Sequence, residues 1–391
     1  MNNEVNRGLA PKKKIQMVDL QSQYQRIKQE IDSGIQEVID SAAFVKGQKV
    51  AEFQSHLEAY TGAKHVINVG NGTDALQIAL MALGLKPGDE VITPTFTFIA
   101  TAEVVALLGL TPVVVDVDWD TMNMDIESVR RAITPHTKAI VPVHLFGQCA
   151  DMEAILALAK EHHLYVVEDA CQAIGAKYTF ANGETKQAGT IGDIGCTSFF
   201  PSKNLGCYGD GGAIFTNNDE LAAKMRAIAN HGMVVRYHHD MIGVNSRLDS
   251  IQAAVLDAKL PHLDEYIAAR QRAAAYYDEV FSDQQSVISS KLLIPGRQAH
   301  STHVFHQYTL RVVGADRDKL REELAERGIP AMIYYPVPLH QQKAYLDPRY
   351  KDGDFPVAER LAACVLSLPM HTELDQEQLE YITSNVLDLI R

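Results

Sequence analysis

The sequence has too few basic residues and too short an apolar run for several common classes of protein. Its 391 residues include 36 Lys and Arg against 49 Asp and Glu, which gives a net charge of −13 at pH 7. Nucleic-acid and membrane-surface binders need clustered positive charge, so we expect neither kind of partner. The longest apolar stretch, residues 99–115, is interrupted by Glu103. A membrane-spanning helix needs about 20 continuous apolar residues, so the sequence predicts none.

Cysteine is also scarce. The five cysteines are an odd number, and no two have C-x-x-C spacing. This pattern indicates neither a disulfide framework nor a zinc site, and it favours a reducing compartment, so we expect a cytoplasmic protein. Adjacent residues such as His238 and His239 rarely reach one ion, and the sequence predicts no metal site. Residues 1–14 are polar and lack the apolar core of a secretory signal, and residues 1–16 are interpreted as a disordered or extended segment.

Strand and helix patterns alternate between residues 64 and 168. This βαβ rhythm predicts an α/β protein with a mostly parallel sheet that is covered on both faces. Apolar spacing predicts a helix over residues 19–41 before the sheet begins, and a short strand over 331–334 near the end. The rhythm changes after residue 168, and Pro261 marks a predicted boundary. We therefore expect a large domain at 17–260 and a small C-terminal α+β domain at 261–391.

The sequence Asn-Gly-Thr-Asp at residues 71–74 follows a predicted strand and opens a helix. The first turn of a helix offers unpaired amides and a dipole that favour an anion such as phosphate. Gly72 would let a ligand approach the backbone, and the Thr73 hydroxyl would add a donor. An ordinary helix cap without a ligand explains the same residues, so the motif leaves both interpretations open.

A carboxylate and a lysine are the next two candidates. Asp169 ends an apolar strand, where ligands of open α/β sheets bind, although a lone Asp there is more often a surface group. Lys203 lies in an apolar, aromatic and hydroxyl-rich stretch at 197–203, followed by the glycine-rich residues 206–212. Burial would lower its pKa and make it a competent amine nucleophile. An exposed loop lysine is the alternative, and the apolar neighbours count against it.

Asn245 and Arg247 precede a predicted helix. An ordinary capped helix start with a surface arginine explains the same residues.

Taken together, the motifs at 71–74, 169, 203 and 245–247 outline a pyridoxal-phosphate enzyme. The lysine would carry the cofactor, the carboxylate would keep its pyridine nitrogen protonated, and the helix start would bind its phosphate. Phe98 is the candidate aromatic residue for covering the ring.

The chain resembles the DegT/DnrJ/EryC1/StrS family of sugar aminotransferases over nearly its whole length, through motifs at 71–76, 88–92, 168–172 and 198–203. The resemblance implies the aspartate-aminotransferase fold (fold type I) and pyridoxal 5′-phosphate as cofactor. It implies that Lys203 holds the cofactor and moves the proton. It also implies that active sites are shared in a homodimer. The further cofactor contacts that it implies are Gly72, Thr73 and Ser198 for the phosphate, Phe98 for the ring, Asp169 for the pyridine nitrogen, Gln172 for the phenolic oxygen, and Asn245 for the phosphate in the neighbouring protomer.

Within the family, the chain is most similar to aminotransferases that act on a UDP-linked 3-keto-N-acetylglucosaminuronate in lipopolysaccharide O-antigen synthesis, with L-glutamate as the expected donor. Residues 196–217, 236–239 and 243–249 carry this likeness. It implies that Arg247 crosses the dimer interface to the sugar carboxylate, which a bidentate guanidinium suits better than an ammonium. Tyr335 matches the expected substrate pocket, whereas Tyr334 stands where relatives often have His.

Three alternatives are weighed against this function. The nearest is the same reaction on another dTDP- or UDP-linked 3-keto or 4-keto deoxysugar, which would offer Arg247 no carboxylate. Dehydratases of this fold carry His in place of the lysine, so Lys203 counts against them. A cofactor-binding regulator would need a DNA-binding module and a basic face, and the net charge of −13 disfavours it.

Overall fold

The computed structural model describes residue 11, residues 13–282 and residues 291–390. Most of the predicted segment 1–16 lies outside these residues. Ile15 within it is 3% exposed and packs against the C-terminal part of the chain. Up to residue 260 the helices are α1 (Leu20–Arg26), α2 (Lys28–Ser41), α3 (Gln48–Thr61), α4 (Gly72–Leu83), α5 (Ala100–Leu107), α6 (Ile126–Ala132), α7 (Met152–His162), α8 (Asp219–Ile228) and α9 (Ser250–Lys259).

The strands of this part fall into one large sheet and two hairpins. They are β1 (His65–Val69), β2 (Glu90–Pro94), β3 (Thr111–Val115), β4 (Thr137–Ile140), β5 (Tyr165–Asp169), β6 (Lys177–Thr179), β7 (Thr185–Gln187), β8 (Ile194–Ser198), β9 (Gly212–Thr216), β10 (Met233–Val235) and β11 (His238–His239). The large sheet has the order β1-β9-β8-β5-β4-β2-β3. Only β9 runs antiparallel to its neighbours, which confirms the mostly parallel sheet.

Side chains of the sheet alternate between two cores, as the pleat requires. Val66, Val166 and Phe215 pack into one buried cluster with α3, α7 and α9. Ile67 and Val167, one position along their strands, pack into the other with α4, α5 and α8. The continuous apolar character of β5 is therefore explained by burial on both faces.

After residue 260 the chain forms a smaller sheet with helices. Its elements are α10 (Leu263–Ser282), β12 (Leu292–Leu293), β13 (Tyr308–Val312), α11 (Arg317–Glu326), α12 (Pro356–Cys364), β14 (Val365–Leu368) and α13 (Gln376–Ile390). The strands pair antiparallel in the order β12-β13-β14. This part of the chain contains both helices and strands, as the sequence predicted. The domain boundary between residues 260 and 261 remains a prediction.

Two secondary-structure predictions were wrong. The helix expected over 19–41 is interrupted at Ile27, whose backbone is not helical, and apolar spacing does not reveal the break because it continues across it. The strand expected over 331–334 is reduced to a bridge between Met332 and Ser367. Pro330 and Pro336, which flank this segment, lack amide donors and cannot extend the ladder. The two hairpins were not predicted. In the described part of the chain, no helix is long and apolar enough to cross a membrane.

Candidate active site

The sheet places its candidate residues at one edge. Strands β1, β5 and β8 are parallel to one another, so their carboxyl ends meet at the same edge, where ligands of such sheets bind. A cavity of about 630 Å³ opens there. It brings together the following predicted residues: Gly72, Thr73, Phe98, Asp169, Gln172, Ser198, Lys203, Tyr334 and Tyr335.

Lys203 lies in a tight turn after β8, where its amide donates to the Phe200 carbonyl at 2.8 Å. Burial lowers the pKa of its amine below the ordinary value for lysine, although the negative charge of Asp169 acts in the opposite direction. A larger share of the amine is therefore neutral near pH 7 than for an exposed lysine. A neutral amine that faces a cavity can attack a carbonyl carbon.

Glu168 and Asp169 are neighbours on β5, but the pleat of the strand sends them to opposite faces. The Glu168 carboxylate is fully buried. It accepts hydrogen bonds from three amides of residues 189–192 and lies 2.8 Å from His144 Nε2. The Ala150 amide donates to His144 Nδ1, so His144 donates to Glu168 from Nε2. Glu168 therefore holds the loop before β8, and only Asp169 faces the cavity.

Asp169 is 6% exposed. The Thr101 hydroxyl donates to its Oδ2 at 2.8 Å, and the Cys171 amide donates to its Oδ1 at 3.2 Å. Among the described residues, no cationic side chain forms an ion pair with it. A buried carboxylate without a cationic partner is costly, and the protonated nitrogen of a pyridine ring would supply that partner. The residues present therefore fit pyridoxal phosphate.

The start of α4 lines the same cavity. The Asn71 side chain caps the helix by accepting from the Asp74 amide at 2.8 Å, and the amides of the first turn have no intrahelical acceptor. A Cβ at Gly72 would lie 2.8 Å from both Cys171 Sγ and Ser198 Cβ. Glycine therefore lets the helix start press against the end of β8, where Ser198 lies, so amides and a hydroxyl converge on one spot.

Aromatic side chains form one wall. Phe98 is 53% exposed, although it lines the cavity, and its ring centroid lies 6.2 Å from that of Tyr335. The Gln172 amide group donates to the Tyr335 hydroxyl at 3.0 Å and accepts from the Phe146 amide at 2.7 Å. Burial raises the pKa of Tyr335, so its hydroxyl stays protonated at neutral pH. Gln172 is therefore held beside the aromatic side chains that line the cavity.

Several residues that line or support the cavity were not predicted, and three of them bear on its chemistry. Thr101 fixes Asp169, while His306 and Gln307 line the cavity just before β13. His306 is 6% exposed, and its Nδ1 is buried without a hydrogen-bond partner. Burial and the charge of Lys203 lower its pKa well below the usual value, so the imidazole is neutral. No pattern in the local sequence distinguishes His306 from an ordinary histidine.

Asn245 and Arg247 do not reach this cavity. Arg247 donates to the Asn245 side chain, and it lines a separate cavity of about 250 Å³. Ser246 between them is buried and tied to α4, since its hydroxyl donates to Asp74 and accepts from the Gly70 amide. Within one chain, the structure therefore leaves both residues outside the candidate active site.

The adjacent histidines His238 and His239 form the exposed strand β11 of a surface hairpin. The part of the chain that the structure describes has no group of three or more His, Cys, Asp or Glu side chains arranged to hold a metal ion.

All five cysteines are free thiols and form no disulfide bond. Cys171 lines the cavity, but burial raises the pKa of its thiol, which is consistent with a packing role.

The mostly parallel sheet, the buried lysine, the unpaired carboxylate and the helix start define a fold type I enzyme that depends on pyridoxal phosphate. The model of the DegT/DnrJ/EryC1/StrS aminotransferase family matches residues 25–387. The chain belongs to this family, and it is an aminotransferase.

Three curated relatives are similar over almost their entire lengths. A pleiotropic regulatory protein from Geobacillus stearothermophilus is 48% identical, over 96% of this chain and 99% of its own. UDP-2-acetamido-2-deoxy-3-oxo-D-glucuronate aminotransferase from Pseudomonas aeruginosa is 48% identical, over 94% and 98%. UDP-N-acetyl-3-dehydro-alpha-D-glucosamine 3-aminotransferase from Acidithiobacillus ferrooxidans is 47% identical, over 95% and 96%.

Solved structures agree with this assignment. DesV from S. venezuelae, in complex with a ketimine intermediate, is 39% identical and superposes with a TM-score of 0.91, covering 97% of this chain and 99% of that one. NtdA from Bacillus subtilis, with bound cofactor PMP, is 31% identical with a TM-score of 0.88, covering 99% and 87%. The predicted family, fold and cofactor are confirmed.

Proposed function

We propose that this aminotransferase moves the amino group of L-glutamate to C3 of UDP-2-acetamido-2-deoxy-3-oxo-D-glucuronate, as a cytoplasmic step in bacterial O-antigen sugar synthesis. The observation that carries the reaction type is the cavity in which a buried lysine and an unpaired buried carboxylate meet. The sugar is supported by the 48% identity to the Pseudomonas aeruginosa relative and by the motif around Arg247.

Pyridoxal phosphate, when bound, supplies an electron sink for the negative charge that develops at the reacting carbon. Asp169 would keep the pyridine nitrogen protonated and thereby maintain that sink. Lys203 would hold the cofactor through its amine and, once released, carry the proton between the substrate carbon and the C4′ position. Its lowered pKa suits both tasks, because the neutral amine is the form that attacks and accepts a proton.

The other lining residues would orient the cofactor. Gly72 and Thr73 at the helix start, with Ser198 opposite, would bind the phosphate. Phe98 would stack on the ring, and Gln172 would donate to the phenolic oxygen. Tyr334 and Tyr335 would contact the sugar.

We further propose a homodimer with shared sites. Asn245 and Arg247 do not line the cavity of their own chain, so their assigned roles need a second copy. Large apolar side chains are exposed in and beside the hairpin of β10 and β11, among them Val234, Tyr237 and Ile242, at 72%, 75% and 87%. Such a patch is typical of a surface that another chain covers. Asn245 would reach the cofactor phosphate, and Arg247 the sugar carboxylate, in the partner subunit's active site.

The first half of the reaction tests this function directly. Glutamate and water would give 2-oxoglutarate while the amino group stays on the enzyme. The amino group would then replace the ketone oxygen of the sugar, which leaves as water. With glutamate alone, the visible absorption of the bound cofactor should disappear, and an equimolar amount of 2-oxoglutarate should form in a single turnover. A spectrum that glutamate does not change would contradict the proposal.

The sugar assignment depends on Arg247. Replacing it with alanine should raise KM for the uronate substrate by roughly 10- to 100-fold, because a charge-assisted bidentate contact is lost. UDP-N-acetyl-3-dehydroglucosamine, which lacks the carboxylate, is the matched substrate, and its KM should change little. Steady-state kinetics with both substrates measures the difference. Equal effects on the two, or a wild-type preference for the second, would favour the alternative of a non-uronate sugar.

A further inference from the structure

The second cavity, which Arg247 lines, has an unusual concentration of positive charge for a protein with a net charge of −13. Lys46 and Arg226 line it as well. The three residues come from the loop before α3, from α8 and from the segment before α9. They are far apart in the sequence and meet only in the fold.

None of these three cations is neutralised by the rest of the described chain. Lys46 donates to the Asn230 side chain at 3.0 Å, and Arg226 lies 3.5 Å from His65 Nδ1. In the described part of the chain, no carboxylate oxygen lies within 4.0 Å of the charged nitrogens of Lys46, Arg226 or Arg247. Charged side chains on a protein surface are ordinarily spread among opposite charges, so three unpaired cations around one cavity indicate an anionic occupant.

The cavity lies between elements that are distant in the sequence. Its floor is formed by β1 and α3, and Asn68 on β1 donates to the Val50 carbonyl while its Oδ1 is buried without a partner. Ser246 ties the backbone beside Arg247 to the start of α4, as described above.

We propose that Lys46 and Arg226, together with Arg247, bind the anionic groups of the nucleotide sugar held in the partner subunit's active site. This inference rests on the proposed function and extends it, since it adds two cations from the loop and from α8 to the single arginine. A nucleotide sugar offers a diphosphate and, in the uronate, a carboxylate. Both are oxyanions that guanidinium and ammonium groups recognise.

The test uses Lys46→Met and Arg226→Met, singly and combined, in the full-length holoenzyme. Each change removes one charge but keeps a long side chain. Lys224→Met is the matched control, because Lys224 lies on the same helix as Arg226 and does not line the cavity. The measurements are KM and kcat for UDP-2-acetamido-2-deoxy-3-oxo-D-glucuronate, inhibition by UDP alone and by glucuronate alone, and the oligomeric state.

Each single substitution should raise KM about tenfold with kcat nearly unchanged, as expected for one charge-assisted contact to a bound substrate. The wild-type KM should rise with salt, and the double variant should be less sensitive, because screening acts on charged contacts. Weaker inhibition by UDP would assign the two residues to the diphosphate. Weaker inhibition by glucuronate would assign them to the carboxylate.

Unchanged KM and inhibition constants in both variants would overturn the proposal. Dissociation of the dimer at unchanged substrate affinity would also overturn it, because the cations would then pair with carboxylates of the other chain. The single turnover with glutamate separates this failure from failure of the proposed function. It does not involve the sugar, so it should proceed normally in Lys46→Met and Arg226→Met as long as the dimer persists.

Discussion

Replacing Lys203 with alanine should reduce turnover by roughly 10⁴-fold or more. The variant loses both the amine that holds the cofactor and the group that moves the proton, and acid–base catalysis alone contributes about 10²- to 10⁴-fold. The measurement is kcat with both substrates. Mass spectrometry of the denatured protein after borohydride reduction is the second measurement, since only a covalently held cofactor stays attached.

Lys160→Ala is the control for this change. Lys160 lies in the last turn of α7, is exposed and is absent from the cavity. It should keep the cofactor and wild-type turnover. A small amine such as methylamine should restore part of the Lys203→Ala rate, because it can replace the proton carrier from solution. Borohydride-stable cofactor or substantial turnover in Lys203→Ala would assign the chemistry to another residue.

Asp169→Asn should lower kcat by roughly 10²- to 10³-fold, the usual effect of removing one preorganised electrostatic contact to the transition state. Asparagine keeps the shape of the side chain and can still accept from Thr101, so the change removes mainly the charge. Without that charge the pyridine nitrogen would lose its proton, and the electron sink would weaken. The absorption spectrum of the bound cofactor should shift together with the loss of rate.

The matched control is Asp193→Asn. Asp193 does not line the cavity, and its carboxylate accepts a hydrogen bond from the amide of Val166, which lies on the same strand as Asp169. Asparagine can accept the same bond. The kcat and the spectrum of Asp193→Asn should therefore be those of the wild-type enzyme. An Asp169→Asn variant with normal kcat would mean that the carboxylate is structural. Unfolding curves of both variants separate loss of catalysis from loss of the fold.

Helix positions could be predicted well from the sequence where apolar spacing and a capping residue agree. The helix that the motif at 71–74 was expected to open begins at Gly72, and the Asn71 side chain caps it. The apolar spacing continues across the interruption at Ile27, and the loss of the strand at 331–334 follows from the flanking prolines, so periodicity records neither.

The candidate site was predictable in part for a similar reason. Asp169, Lys203 and the helix start each follow a strand, so their common edge could be deduced from the βαβ pattern. Thr101, in contrast, contacts Asp169 across 68 positions of the sequence, and His306 arrives from the C-terminal part of the chain. Nothing in the local sequence indicates either contact, because both depend on how distant segments pack.

The two adjacent carboxylates at the end of β5 have a consequence for how this enzyme can diverge. Because side chains alternate strictly along a strand, inserting or deleting one residue within β5 would exchange Glu168 and Asp169 between the buried loop and the cavity. Both functions would fail at once, even though both carboxylates would still be present. The loops at either end of the sheet can change in length over time, whereas the number of residues in this strand cannot change by one.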